Sequence, residues 1–129
     1  RVVVYDFHSI RSVIPRLIDG RLPQFNIGTN SGASCDPALT AAVEAPCAAS
    51  GLGHVVDGRF KGGWITRHYG RPTDGVHAVQ MELAMRGYLA EPDDVSPANW
   101  PVDFDPAFAR PVAAVLHRVL TGALAFARG

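Results

Sequence analysis

The 129 residues contain only two cysteines, Cys35 and Cys47. Two cannot staple a disulfide-rich scaffold, and neither belongs to a CxxC pair of the kind that holds zinc or cycles as a dithiol. The plain expectation is a pair of free thiols in a reducing cytoplasm. A surplus of either charge is missing as well, since Lys plus Arg and Asp plus Glu each number 12. That balance gives no electrostatic case for nucleic acid or an anionic membrane surface as a partner. No apolar run approaches the roughly 20 residues needed to span a bilayer, no signal-peptide pattern opens the chain, and no repeat or low-complexity tract interrupts it. What remains is a globular composition, 47% hydrophobic and 19% charged, enough for one domain with a core and too little for two.

The sequence begins Arg1-Val2-Val3 without an initiator Met or a leading loop. The run from Val2 to Ser9 opens with the β-branched and aromatic composition of a strand buried on both faces. Such a strand needs neighbours on both sides, so residues 1–129 are expected to be the carboxyl-terminal part of a longer single domain. Asp6 and His8, two apart, project to one face of this strand. Its carboxyl end is where open α/β sheets usually hold ligands.

Ser9 to Leu22, with Pro15 and Gly20, reads as loop. Phe25 to Gly28 reads as a short strand, ending in the small-residue turn Thr29 to Ser34. Asp36-Pro37 is a helix start, an N-cap followed by Pro at the first helical position, and Pro46 is expected to end or kink that helix. His54 to Val56 suggests a brief strand. The flexible, cationic Asp57 to Gly63 then leads into Trp64 to Tyr69. Val76 to Leu83 is a clear strand, with Val76, Ala78, Gln80 and Glu82 on one face, followed by a short helix over Ala84 to Leu89. Glu91 to Phe104 reads as a surface loop. The last helix begins at Asp105-Pro106 or at Arg110-Pro111, and carries an apolar stripe from Phe108 through Val112, Val115, Val119 and Leu124.

Polar groups recur where these strands run out: Asp6 and His8, Asn30, and Glu82. Were the strands parallel, these groups would converge on one edge. His8 could bind a metal there; the alternative is that Asp6 caps the next loop while His8 hydrogen-bonds within the core. Glu82, on an otherwise apolar strand, must be paired, metal-bound or poised as a base to offset its desolvation. A salt bridge to Arg86 is the competing explanation. Arg59, Lys61, Arg67 and Arg71 form a basic cluster beside glycines, suited to bidentate capture of carboxylates or simply solvated. His54 and His117 are read as surface residues, and His68 and His77 as single histidines on strands, neither with a partner at ligand spacing.

Four words occur in order: YDFHSIRSVIPRL, FNIGTNSGASC, GRFKGGWITRHYGRP and GVHAVQMELAMRGYL. Over about residues 2 to 89 they resemble the N-formylglutamate amidohydrolase (N-formylglutamate deformylase) family of histidine degradation. The resemblance implies an α/β fold like that of zinc carboxypeptidases (phosphorylase/hydrolase-like), with a mixed, mainly parallel central sheet flanked by helices. It implies hydrolysis of N-formyl-L-glutamate, a small acidic N-acyl amino acid, to formate and L-glutamate, using zinc or another divalent metal such as cobalt. By the same resemblance His8 is a zinc ligand and Glu82 the general base or acid. Arg67 holds the glutamate carboxylates, with Arg11, Asn30 and Arg59 as weaker candidates.

The sequence departs from the family pattern twice. Ser31 stands where the family usually has an acidic residue. The amino-terminal half, with its P-H-S-G-type word and an acidic residue that would supply further metal ligands, is absent. A catalytic zinc takes about three protein ligands, so with His8 alone this segment is expected to bind metal poorly and to show little activity by itself. A related metal-dependent amidase or carboxypeptidase, or a truncated binding module without catalysis, are the competing readings.

Overall fold

The computed structural model describes residues 1–129. Four strands form one sheet: β1 (Val2–Ile10), β2 (Phe25–Gly28), β3 (His54–Val56) and β4 (Val76–Ala84), in the spatial order β1-β4-β2-β3. β1 pairs parallel with β4 and β2 parallel with β3, while β2 runs antiparallel to β4. The sheet is therefore mixed and mostly parallel. Three helices accompany it: α1 (Pro37–Ala49), the short α2 (Trp64–Tyr69) and the long α3 (Pro106–Arg128).

Alternation along β4 decides which face becomes core. Val79, Met81 and Leu83 share one side, and β2 adds Phe25 and Ile27 to the same layer. Leu39, Val43 and Cys47, one turn apart along α1, pack onto it with Val112, Val115, Val119 and Ala123 of α3. All of these side chains are buried. α1 begins as its sequence dictates, with the Asp36 side chain accepting from the Ala38 amide at 2.8 Å. Pro46 does not end it: the helix runs on to Ala49. An internal proline costs about 3 kcal/mol or more, and here the fully buried Val43 and Cys47 on either side of it hold the last turn in place. The Ala42 carbonyl, left without its usual i+4 donor, lies 3.0 Å from where a Cβ on Gly122 of α3 would stand. A larger residue at this position would crowd the Ala42 backbone and push the two helices apart by a few tenths of an ångström.

Three expectations need correcting. β1 is not buried on both faces: it is an edge strand with Phe7, His8 and Ser9 exposed. Trp64 to Tyr69 is helix α2 and not a strand, so His68 lies on a helix. It stacks on Trp64, with ring centroids 4.2 Å apart. Because β2 opposes β4, Asn30 follows β2 towards the amino end of β4, away from the end that carries Glu82. The last helix takes the earlier of its two candidate starts, with Asp105 capping the Ala107 amide and Pro111 accommodated inside.

Candidate functional site

The polar face of the sheet is assembled by register. In the β1–β4 ladder His8 stands opposite Glu82 and Asp6 opposite Gln80; in the β2–β4 ladder Asn26 stands opposite Glu82 and Gly28 opposite Gln80. His8, Glu82 and Asn26 therefore form one row across three strands. Asp6, Gln80 and Gly28 form the next, all on the side away from α1 and α3. Two positions read from separate words of the sequence thus become cross-strand neighbours.

Within this patch Asp6 Oδ2 lies 2.9 Å from His8 Nε2. A carboxylate on one ring nitrogen fixes the imidazole's orientation and leaves Nδ1 as the ring's remaining donor atom, the arrangement usual for metal-binding histidines. Glu82 is buried and pairs with no cation; the Arg86 salt bridge weighed from the sequence does not form. Burial pushes the Glu82 carboxyl above the ordinary carboxylate range. The nearby His8 pulls it down and Asp6 pushes it up, and the net direction is upward. A carboxyl of this kind is a stronger proton acceptor than a solvated one.

Asn26 and Gln80 were not singled out by the sequence as site residues. Asn26 is 1% exposed and donates through Nδ2 to the carbonyls of Pro23 (2.9 Å) and Glu82 (3.1 Å), fastening β2 to β4 beside the acid. Its alternation with buried Phe25 and Ile27 was the available signal. Gln80 Oε1 accepts from the Gly63 amide at 2.6 Å, which ties the start of α2 to the polar face.

The basic residues are dispersed. Arg67, on α2, is exposed and donates to the Gly62 carbonyl at 2.9 Å. Arg59 is exposed in the loop between β3 and α2. That loop is pressed onto β2, because a Cβ on Gly28 would meet the Gly62 nitrogen at 2.5 Å, and because the Asn30 amide donates to the Lys61 carbonyl. Asn30 holds a left-handed φ of 53°, a conformation Asn tolerates better than most residues, so its identity serves the turn directly. Ser31 shares that conformation and is exposed. Arg11 is occupied: its Nε lies 2.7 Å from Glu91, whose carboxylate also accepts from the Ser12 amide.

No three His, Cys, Asp or Glu side chains converge in an arrangement that could hold a metal ion. The donors of this chain do not by themselves make a metal centre. Two of the other histidines have local partners: His77 Nδ1 accepts from the Asp36 amide, and His54 meets Glu44. The cysteines are free and buried. Burial, with Glu44 adding to it, pushes the Cys47 thiol up to about 12, which removes it as a nucleophile near neutrality. No helix is long and apolar enough to cross a membrane.

Residues 1–89 match the model of the N-formylglutamate amidohydrolase family. The chain is 53% identical over 127 residues to N-formylglutamate deformylase of Pseudomonas aeruginosa, covering 98% of this chain and 45% of that protein. It is 48% identical over 125 residues to the protein of the same name from Pseudomonas putida, covering 96% and 44%. Its fold superposes on a crystal structure of N-formylglutamate amidohydrolase from Ralstonia eutropha JMP134 with a TM-score of 0.71 at 21% identity, covering 98% of this chain and 44% of that one. The chain thus spans less than half the length of the relatives it matches.

Proposed function

The chain belongs to the N-formylglutamate amidohydrolase family, and from that premise we propose that the longer protein it represents hydrolyses N-formyl-L-glutamate to formate and L-glutamate, in the cytoplasm and within histidine degradation. The observation that carries this reading is the cross-strand pairing of His8 with a buried, unpaired Glu82.

Glu82 is the proton carrier. It accepts a proton from the attacking water as the C–O bond forms at the formyl carbon. It then returns that proton to the glutamate nitrogen as the C–N bond breaks, leaving formate and a free amine. Its raised proton affinity suits both halves of the step. Asp6 orients His8. Arg67 and Arg59, exposed on elements anchored to the polar face, attract the substrate carboxylates. Asn30 serves this loop from beneath, and Arg11 acts through its pair with Glu91 more than through ligand contact.

We further propose that His8 supplies one ligand to zinc, or to another divalent metal such as cobalt. The donors present here fall short of a complete set, so the others come from outside these 129 residues, and none of the proton transfers above is routed through the metal. Formate release from N-formyl-L-glutamate, against N-formyl-L-aspartate and N-acetyl-L-glutamate, tests the reading on the full-length protein. Preference for the first supports it; equal or greater turnover of an N-acetyl substrate points instead to a related amidase. No hydrolysis of any of them, by a full-length protein carrying its metal, rejects the enzyme reading.

A further inference from the structure

Where β1 and β4 end, three arginines gather around one small cavity. Arg11 follows Ile10, the last residue of β1, and Arg86 lies two past Ala84, the last of β4; Ile10 and Ala84 are partners in the parallel ladder. Arg21 returns to the same place because it bridges to Val13 and because the Leu22 amide donates to the Ser12 carbonyl at 2.9 Å. Buried Ser12 holds the group together. Its hydroxyl accepts from the Arg86 amide at 3.2 Å, and its own amide donates to Glu91. The cavity, of about 90 Å³, is lined by these three arginines with Ser12, Glu91 and Asp93 among others. That is room for one acid headgroup or a few waters.

The charges around this cavity do not balance. Arg11 takes Glu91 at 2.7 Å, and the Ser12 amide shares the same carboxylate. Arg21 has only Asp93, 3.5 Å away, whose side chain is 93% exposed; a pair so solvated is weak. Arg86 pairs with no carboxylate, and its Nη1 is buried without a hydrogen-bond partner. Burial, and after it the neighbouring Arg21, lower the proton affinity of the Arg86 guanidinium, with Glu91 opposing. A buried donor on a charged group is costly to leave without an acceptor. One carboxylate supplies that acceptor and cancels the single positive charge left over among three arginines and two acids. A dianion would exceed it.

We propose that this cavity is a binding site for a single carboxylate, held between Arg86 and Arg21, with Asp93 as the exposed group that it displaces. Guanidinium forks match the two oxygens of a carboxylate, and the carboxyl end of a parallel strand pair is where open α/β sheets usually hold ligands. The ladder pair His8 and Glu82 lies two residues back along both strands, roughly 7 Å at about 3.3 Å per residue. At that separation the acid is either a carboxylate of the reacting molecule or a free one, and both present the same group to Arg86. The site does not rest on the hydrolytic reading, because its occupancy is measured without turnover.

The test uses the full-length protein with nitrogen-15 in its arginines, and reads their Nε–H resonances by NMR as sodium acetate replaces sodium chloride at constant ionic strength. The expected result is a saturable shift of the Arg86 and Arg21 resonances. Arg86→Met weakens acetate binding, read at Arg21, at least about tenfold, the size of a lost charged hydrogen bond. Asp93→Asn removes the competing carboxylate and tightens binding about twofold or more. Should Arg86→Met fail to fold, Arg21→Gln, at an exposed side chain, gives the same comparison read at Arg86. Formate release then separates the two sources. A KM for N-formyl-L-glutamate raised at least about tenfold in Arg86→Met, with kcat kept, identifies the substrate's own carboxylate; an unchanged KM identifies a free acid. Resonances that do not move, a shift that never saturates, or acetate binding that survives both arginine substitutions overturns the proposal. So does tighter binding of inorganic phosphate than of acetate, which would assign the site to a dianion.

Discussion

Glu82→Gln keeps the size and hydrogen-bonding outline of the side chain and removes its capacity to carry a proton. Because the carboxyl is buried and unpaired, the substitution breaks no ion pair. Loss of a general acid/base costs at least about a hundredfold in turnover, about 2.7 kcal/mol of barrier at 1.36 kcal/mol per factor of ten. The assay is formate release from N-formyl-L-glutamate by the full-length protein across pH. In the unsubstituted protein the acid limb of kcat/KM should lie above the ordinary Glu value of 4.5, because burial raises Glu82; in the variant that limb should disappear. Stability gives an independent readout. A carboxyl whose folded-state pKa is raised favours the fold most below its unfolded pKa, and that contribution is lost as pH rises through the folded value. The variant should therefore be at least as stable as the parent near pH 7, and the two should converge in relative stability below about pH 4.5. Unchanged turnover with an intact acid limb would remove Glu82 from the reaction.

Other consequences follow from the same geometry. Asp6→Ala frees the His8 ring and should lower metal affinity or turnover by about 10–100-fold, measured by metal titration and by formate release on the full-length protein. Arg67→Ala should raise KM for N-formyl-L-glutamate more than for an uncharged formamide; equal shifts would make Arg67 structural. Glu91→Ala strands the Arg11 guanidinium and the Ser12 amide, at a cost of about 2–3 kcal/mol read by urea unfolding, below the 3–5 typical of a fully buried pair because Arg11 stays partly in solvent. Burial opposes ionisation of Glu91, but its hydrogen bonds from Arg11 and Ser12 outweigh that and hold the carboxyl below its usual range. Its stabilisation is therefore present above the unfolded carboxylate pKa and is lost as pH falls through the lower folded value. The variant should show a shallower acid transition than the parent.

The site was legible where local pattern and position coincide. Val76 to Leu83 alternates cleanly, which put Glu82 and Gln80 on one face, and Asp6 and His8 share a face by the same rule. What brought the two pairs together was the β1–β4 register, and register comes from pairing between segments almost seventy residues apart, which neither segment encodes alone. Strand direction was equally hidden. Phe25 to Gly28 reads as a strand either way, and only its placement antiparallel to β4 separates Asn30 from Glu82. Trp64 to Tyr69 has the β-branched and aromatic content of a strand, yet it forms one turn and a half of helix after Gly62-Gly63, with only Thr66 buried. There the tie from Gly63 to Gln80 and the contact with β4 override propensity. β1 has the β-branched and aromatic composition of a central strand, yet it lies at the edge of the sheet, and composition does not encode position within a sheet.

Hydrolysis at this polar face requires His8 and Glu82 to work as one unit. A double-substitution cycle in the full-length protein, His8→Ala, Glu82→Gln and both together, assayed as formate release from N-formyl-L-glutamate, measures that directly. If they serve one reaction centre, the double variant should be no more impaired than the worse single variant, as for residues that act together. Losses that multiply, each residue costing its full factor whether or not the other is present, would contradict it.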